Sequence, residues 1–549
     1  MLSGCGGSVD PAAQNGGNAG SGGTVDGGGS GGDVGTGGTG LSPGGGQAGS
    51  ENTGGTSSPG GAAGEGGEGG DGDPEIMGVY VDCEDGDDAG SGSRSSPLKT
   101  LAHATQGRAS GDTIWILDGV CDGTTQVEFN TMDASIVVPD GVSLRAETPG
   151  AVTFNGTYIS AGIELEGSST VSGIHFEQFH GAISAASGTI AIEGTSFVDV
   201  TQHAPIRVSG TADATISPGE LDSYIGPNQH LLAAVEGQAK LTVSGGALVG
   251  DGQGSNTLAL FDAAGESQLV LDGVTVQSRM ETTLWAGDTA DVTMDGCTVL
   301  DSGNAVVLAG SAHLALLDSN IEGTVGSGIQ FVAGTPELEM IGSSIVDSTA
   351  AALLIPDQGG YPLIYMQAST LSGNDGGIDA WLGTTIEIVD SQIVDNDADT
   401  AARGINFTLN QVNHLKMRGT TVSGHPLTGI EMVANVGSTL DLGRGDDLGG
   451  NTIAGNNTRA LSNHGNLMLL IQGGTTVYAA GNTWDPGVQG AASLGSVDPP
   501  PGQFAVTSNN VHELSGLNLG QNFYMYGSVD DYSTLRLAED ACVPTNTCP

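Results

Sequence analysis

The chain has 549 residues, 95 of them glycine, and its 63 acidic against 13 basic residues give a net charge of −50. A phosphate backbone is held by clustered Lys and Arg, so this balance excludes nucleic acid as a partner. It also disfavours direct binding of polyanions unless a divalent cation bridges, and no run of 18 apolar residues is present to span a bilayer as a helix.

The first segment, 1–73, holds 31 of the glycines and no Lys, Arg, Phe, Trp or Tyr. It offers too little apolar surface to offset ordering entropy and is expected to be a disordered tether. Only nine acids lie in 1–75, so the acidic excess sits mainly in 76–549. At the start of the segment, Leu2-Ser3-Gly4-Cys5 resembles the lipobox of bacterial lipoproteins, in which the cysteine is lipidated. That resemblance implies Cys5 as a lipid anchor at the bacterial cell envelope, on the outer membrane or cell surface. The basic and apolar stretches of a signal peptide do not precede it. A flexible tether of roughly 70 residues spans about 45 Å r.m.s., at ~5–6 Å × √n.

Composition changes after Pro74, and 74–128 reads as an N-terminal cap. Val79-Tyr80-Val81 is a short strand, followed by a polar loop from Asp82 to Ser93. Ser96-Pro97 has the form of an N-cap with proline at N1, and Leu98, Leu101, Ala102 and Thr105 recur at helical spacing. After the Gly111-Asp112 turn, Thr113–Leu117 is a strand. Asp82, Glu84, Asp85, Asp87 and Asp88 make the densest acidic loop of the chain, and Ca²⁺ is the cofactor such oxygens would take. The spacing is not that of an EF-hand, and a solvated loop is the competing reading.

From 129 to 490 a ten-residue phrase recurs. It begins at Ile190, then at Leu241, Leu269, Val292, Leu314, Leu338, Ile364, Ile386 and Leu415, the last eight spaced by 28, 23, 22, 24, 26, 22 and 29 residues. A near-constant period in this range marks stacked repeats. Each phrase alternates apolar and polar residues, as in Ile386-Glu387-Ile388, which is the pattern of a strand with one buried face. A second apolar run lies between phrases, as in Gly404-Ile405-Asn406-Phe407, so each coil holds at least two strands. Stacking at ~4.8 Å gives on the order of 14 coils and about 65 Å. Asp199, Asp301, Asp347 and Asp395 fall at matching phrase ends, alternating from Asp301 onward with Gly323, Gly373 and Gly424, which relieves carboxylate repulsion. An Asn ladder cannot be traced through every turn.

The fold expected is therefore all-β, a single parallel β-helix with a short N-terminal capping helix, followed at 491–549 by a C-terminal extension with terminal strands. The order Tyr80-Val81-Asp82, Gly86-Asp87, Pro97-Leu98-Lys99-Thr100-Leu101 and Gly111-Asp112-Thr113-Ile114, with Gly481-Asn482-Thr483-Trp484 later, resembles an uncharacterised bacterial lipoprotein family with a pectate-lyase-like domain. The resemblance implies a right-handed β-helix at the cell envelope and carries no catalytic set. A helix over the first coil covers an otherwise open edge. Cys83 and Cys121 are placed to tie that cap down, a closure worth roughly 4 kcal/mol in the chain-entropy model. Cys542 and Cys548 form a second expected disulfide, and Cys297, inside a phrase, a buried thiol.

No catalytic residues are assigned. Polysaccharide lyases of this fold use acidic residues to hold Ca²⁺, with a nearby Arg or Lys as base. Among the basic residues Arg145, Arg207, Lys240, Arg279, Arg403, Lys416, Arg418, Arg444 and Arg459, only Arg403 follows closely spaced acids, Asp395, Asp397 and Asp399. Asp375, Asp379, Asp395 and Arg403 are thus the candidate set, against the reading of a solvated acidic turn. Arg444-Gly445-Asp446 reads as a turn. The sequence favours an envelope-anchored, non-catalytic scaffold or glycan-binding lipoprotein, with membrane and carbohydrate as partners. The alternative is a carbohydrate-active enzyme: a polysaccharide lyase, hydrolase or epimerase.

Overall fold

Strands with one apolar face need a partner for that face, and a chain that coils on itself supplies it from its own other strands. The computed structural model describes 78–484, apart from 201–203, 218–222, 226–230, 251–258, 278–281, 397–401, 409–410, 435–436, 445–446, 460–464, 472–475, 479–481, and adds Phe504–Ala505, Phe523–Gly527 and Arg536–Leu537. Cys5, Cys542, Cys548, Asp397, Asp399, Arg279 and the 1–73 tether lie outside the described residues. Contacts divide the chain into Met1–Asp73 and Pro74–Pro549.

The second unit is a right-handed parallel β-helix with almost no helix. Its coils lay strands into an 18-stranded sheet, a 15-stranded sheet and a third face made of an 11-stranded and a 4-stranded sheet. Each ten-residue phrase divides between two faces: Ile386 lies in Thr385–Val389 of the 18-stranded sheet, and Ile393 in Gln392–Val394 of the 11-stranded one. The run between phrases supplies the third strand, as Ile405–Phe407 does in the 15-stranded sheet. The pairing register reproduces the sequence alignment residue for residue. Leu241, Leu269, Val292, Leu314, Leu338, Ile364, Ile386 and Leu415 are successive Cα partners. All eight are buried, each worth roughly 1.5–3 kcal/mol relative to exposure. Near the N-terminal end, Phe129, Phe154, Phe176, Phe179 and Phe197 fill the interior as one aromatic cluster with centroids 5.0–5.9 Å apart. Phe523–Gly527 pairs in parallel with Leu467–Ile471, and Phe504–Ala505 pairs antiparallel with Arg536–Leu537.

The capping helix is shorter than its periodicity suggests. It spans Leu101–Thr105, with Thr100 rather than Ser96 as the N-cap. Leu98 is drawn into the sheet instead: its N–H donates to the Tyr80 carbonyl at 2.9 Å and its carbonyl accepts from Asp82 at 2.8 Å. The Asp88 carboxylate then takes the Lys99 and Thr100 N–H groups and the Thr100 hydroxyl, which fixes the helix start. Cys83 and Cys121 form a disulfide beneath this cap, and Cys297 is a buried free thiol.

Turns stack as regularly as strands. The Asp/Gly alternation at phrase ends has a conformational basis beyond charge. Asp347 and Asp395 have φ of 57° and 50°, and Gly373 and Gly424 of 69° and 81°. A Cβ on either glycine would lie 2.0 Å from Oδ1 of the Asp one coil before. The other turn of each phrase carries a ladder the sequence does not announce, because hydroxyls fill the place where Asn is looked for. Backbone N–H groups of Cys297, Ser319, Ser343 and Ser369 donate to Oγ of Ser319, Ser343, Ser369 and Ser391, at 2.9, 3.0, 3.2 and 3.1 Å. The run continues through Thr420 and Asn451 to Asn482. These turns are buried, where an unpaired N–H is costly, and the side chain of the next coil supplies the acceptor.

Replacing Ser343 by Ala should therefore cost about 1–3 kcal/mol, since it removes the acceptor of the buried Ser319 N–H. Chemical denaturation should show a lowered midpoint for it and almost none for Ser311→Ala, which is exposed. A pH dependence also arises from His425. Its ring is buried and Nε2 donates to the Ile393 carbonyl at 3.0 Å, while desolvation lowers its pKa to about 4. Above pH 6.5 the ring is neutral in both folded and unfolded chains. Between pH 6.5 and about 4 only the unfolded chain takes the proton, so stability falls with pH, by roughly 3 kcal/mol over the window. The denaturation midpoint of His425→Gln should fall less over that range than that of the unaltered chain.

Candidate functional site

The acidic loop at the cap uses its carboxylates locally. Asp82 Oδ1 accepts from the Glu84 and Asp85 N–H groups, Asp87 Oδ1 from Ala89, and Glu84 Oε1 from Val120. Asp88 holds the helix start, and its hydrogen bonds from Thr100 and Lys99 outweigh burial, so its pKa is lowered. Among the described residues no cluster of three or more His, Cys, Asp or Glu is arranged to hold a metal ion, Asp85 included.

Arg403 is not directed at the acids that precede it. Its Nε donates to Glu431 Oε2 at 2.5 Å, and both side chains are largely buried. Asp379 instead accepts from Asn406 Nδ2 at 2.8 Å. Asp379, Asn406 and Glu431 are register partners on the outer face of the 15-stranded sheet. Asp395 belongs to the stacked turn over Gly424, and Asp375 is held at a turn by N–H bonds to the Ser348 and Ala350 carbonyls. The structure therefore brings Arg403 and Asp379 to neighbouring coils of one face, each with its own partner, and places Asp375 and Asp395 in turns. On the same sheet Arg207 pairs with Glu236 at 2.8 Å, and burial raises the pKa of Asp262.

A denser constellation lies on the outer face of the 18-stranded sheet. Strands Glu337–Ile341, Leu363–Gln367, Thr385–Val389, His414–Arg418 and Thr439–Asp441 run side by side. Their register aligns Glu339, Tyr365, Glu387, Lys416 and Asp441 in one column, central in the first four strands and last in the fifth. Lys416 Nζ donates to Glu387 Oε1 at 2.7 Å. Arg418 Nη2 reaches Asp441 Oδ1 at 2.9 Å and Asp447 Oδ2 at 2.7 Å, and Arg444 Nε reaches Asp441 Oδ2 at 2.6 Å. Burial works against the charge on Arg418, but the bonds to Asp447 and Asp441 win and raise its pKa. The same contact with Arg418 lowers that of Asp447. Arg444 and Asp447 also exchange backbone hydrogen bonds, each N–H donating to the other's carbonyl, while Gly445 and Asp446 lie outside the described residues. Tyr365 donates its phenol to Gln367 Oε1 at 3.0 Å.

The polar column borders an apolar edge. Tyr361, Leu363, Trp381 and Val412, on three successive coils at the bend between the 15- and 18-stranded sheets, are 54, 47, 42 and 43% exposed. A Cβ on Gly383 would lie 3.3 Å from the Tyr361 ring and 2.9 Å from the Val412 carbonyl, so the lack of a side chain at 383 lets the neighbouring coils close up. Lys416 and Arg418 are visible in the sequence as basic residues, but their partners lie 23 to 29 residues away, and only the register brings them together.

A family model described as a right handed beta helix region matches residues 244–393. No curated protein matches the chain. Among solved structures, the chain is similar to the A-module of mannuronan C-5 epimerase AlgE6 of Azotobacter vinelandii, at 14% identity and a TM-score of 0.36, over 70% of this chain and 92% of that one. It is also similar to the alginate lyase AlyF-OU02, at 13% identity and a TM-score of 0.32, over 84% and 94%. A third is the periplasmic alginate epimerase AlgG, at 11% identity and a TM-score of 0.27, over 76% and 84%.

Proposed function

We propose that the protein is carbohydrate-active and seats a polysaccharide chain across the outer face of its 18-stranded sheet, over Leu363–Gln367, Thr385–Val389 and His414–Arg418. One observation carries this reading. At matched register, successive coils present Tyr365, Glu387 and Lys416 in line, beside an exposed edge of Tyr361, Leu363, Trp381 and Val412. An extended ligand is recognised by a small number of placed polar groups next to apolar surface. A phenol, a carboxylate and an ammonium on adjacent coils are also the group types from which acid–base catalysis on a sugar is built.

A second reading is supported by the ion pairs. Lys416 is held by Glu387, and Arg418 by Asp441 and Asp447, so each cation is engaged before any ligand arrives. A paired ammonium is a poor general base. That favours binding without turnover, as in a surface glycan-binding protein. Anchoring through Cys5 at the cell envelope belongs to the proposal too, and a Cys5→Ala chain should leave the membrane fraction if it holds.

The test is retention of the purified protein in native gels cast with soluble polysaccharides, with and without calcium, alongside assays for new reducing ends and for unsaturated-product absorbance. Retention by at least one glycan is expected, reduced severalfold in Lys416→Met. Product formation that vanishes in Tyr365→Phe would assign an enzyme, and retention without product the binding protein. Failure to be retained by any glycan would refute the proposal.

A further inference from the structure

The proposed face carries an electrostatic signature that narrows its ligand. Among the described residues its carboxylates are Glu337, Glu339, Glu387, Asp441 and Asp447, and its cations Lys416, Arg418 and Arg444. Five against three leaves the face net negative, on a chain of net charge −50. Each of the three cations is also spoken for. Lys416 bonds Glu387, Arg418 bonds Asp441 and Asp447, and Arg444 bonds Asp441. Arg418 and Asp441 have side chains only 12 and 7% exposed, so their pair is not one that solvent or a passing anion readily opens.

A polyuronate approaching this face would meet net repulsion and would have to displace an existing carboxylate to gain a cation. An uncharged sugar faces neither obstacle. Ion pairs leave valences open: the ammonium of Lys416 has three donors, and each carboxylate accepts at more than one position. Hydroxyl groups, which donate and accept at once, fit such pairs without breaking them. The apolar edge supplies the other half of the recognition. Tyr361, Leu363, Trp381 and Val412 are exposed apolar side chains on three successive coils beside the polar column. The C–H face of a pyranose packs on aromatic rings of this kind. Tyr361 and Trp381 belong to successive coils, so the edge offers one aromatic ring on each of two neighbouring coils.

We infer that the ligand of this face is an uncharged polysaccharide, stacked on the Tyr361–Trp381 edge with its hydroxyls on the Glu387–Lys416 and Arg418–Asp441 pairs. This rests on the proposal that the face binds a glycan and adds the class of glycan. Neutral polymers (soluble glucan, xylan and mannan) and the polyuronates pectate and alginate are to be compared as probes at low and high salt. They are tested with the full chain, with Tyr361→Ala/Trp381→Ala, and with Val127→Ala as an exposed control remote from the face. Neutral-polymer binding that is insensitive to salt, about tenfold weaker in the double variant and unchanged in the control, is the expected result. An unchanged denaturation midpoint for the double variant shows that folding is not the cause. Retention by polyuronates alone, fading as salt rises, would overturn the inference and leave glycan binding standing. Neutral-polymer binding indifferent to the double substitution would overturn the role of the edge. Binding to no probe would overturn both this inference and the proposal beneath it.

Discussion

In a parallel β-helix every residue lies about 4.8 Å from its counterpart one coil away, and that single spacing governs what the rest of this molecule can be. An apolar residue in one coil calls for an apolar residue above and below it, so leucine, isoleucine and valine columns propagate through the interior. A buried backbone N–H in a turn calls for an acceptor at the same distance, and Ser319, Ser343, Ser369 and Ser391 supply it in succession. A charge calls for an opposite charge. Glu387 and Lys416, register partners on adjacent strands, meet that demand, and Arg418 meets it by reaching Asp441, two positions off its own register. Core, turns and outer face are thus three answers to one repeat distance.

Much of the fold is legible in the sequence for this reason. Aligning the ten-residue phrases is equivalent to stating the strand register, because stacking is set by the apolar positions that make the phrases recognisable. The disulfide between Cys83 and Cys121 and the buried thiol of Cys297 are legible as well, from their placement at the cap and within a phrase. The helix start is less so. Ser96-Pro97 has the local chemistry of an N-terminus, but Leu98 gains more by bridging to the first strand, and the Asp88 carboxylate moves the cap to Thr100. The hydroxyl ladder hides because Ser, Thr, Asn and Cys all serve at one position, so no single residue type repeats.

The outer face is where reading by proximity along the chain falls short. Arg403 is flanked by Asp395, Asp397 and Asp399 in sequence, yet Glu431, 28 residues on, is its partner. Lys416 and Arg418 have no acidic neighbours nearby in the sequence, yet they anchor the richest polar column of the described residues. In a solenoid the residues that share a site are one coil apart rather than a few positions apart. A search at the repeat spacing, applied to charged and aromatic residues as it is to apolar ones, would pair Glu387 with Lys416 and set Tyr365 beside them.

The alternation at the phrase ends has an evolutionary corollary. From Asp301 to Gly424 each left-handed position that carries Asp is followed, one coil later, by one that carries Gly, and the Asp side chain occupies the space the Gly leaves. Deleting one coil would set Asp over Asp or Gly over Gly, while deleting two restores the pattern. The lattice of this turn therefore has a unit cell of two coils. Duplication or loss of genetic material in this part of the chain is accommodated most readily in two-coil steps of about 50 residues, twice the repeat length of roughly two dozen.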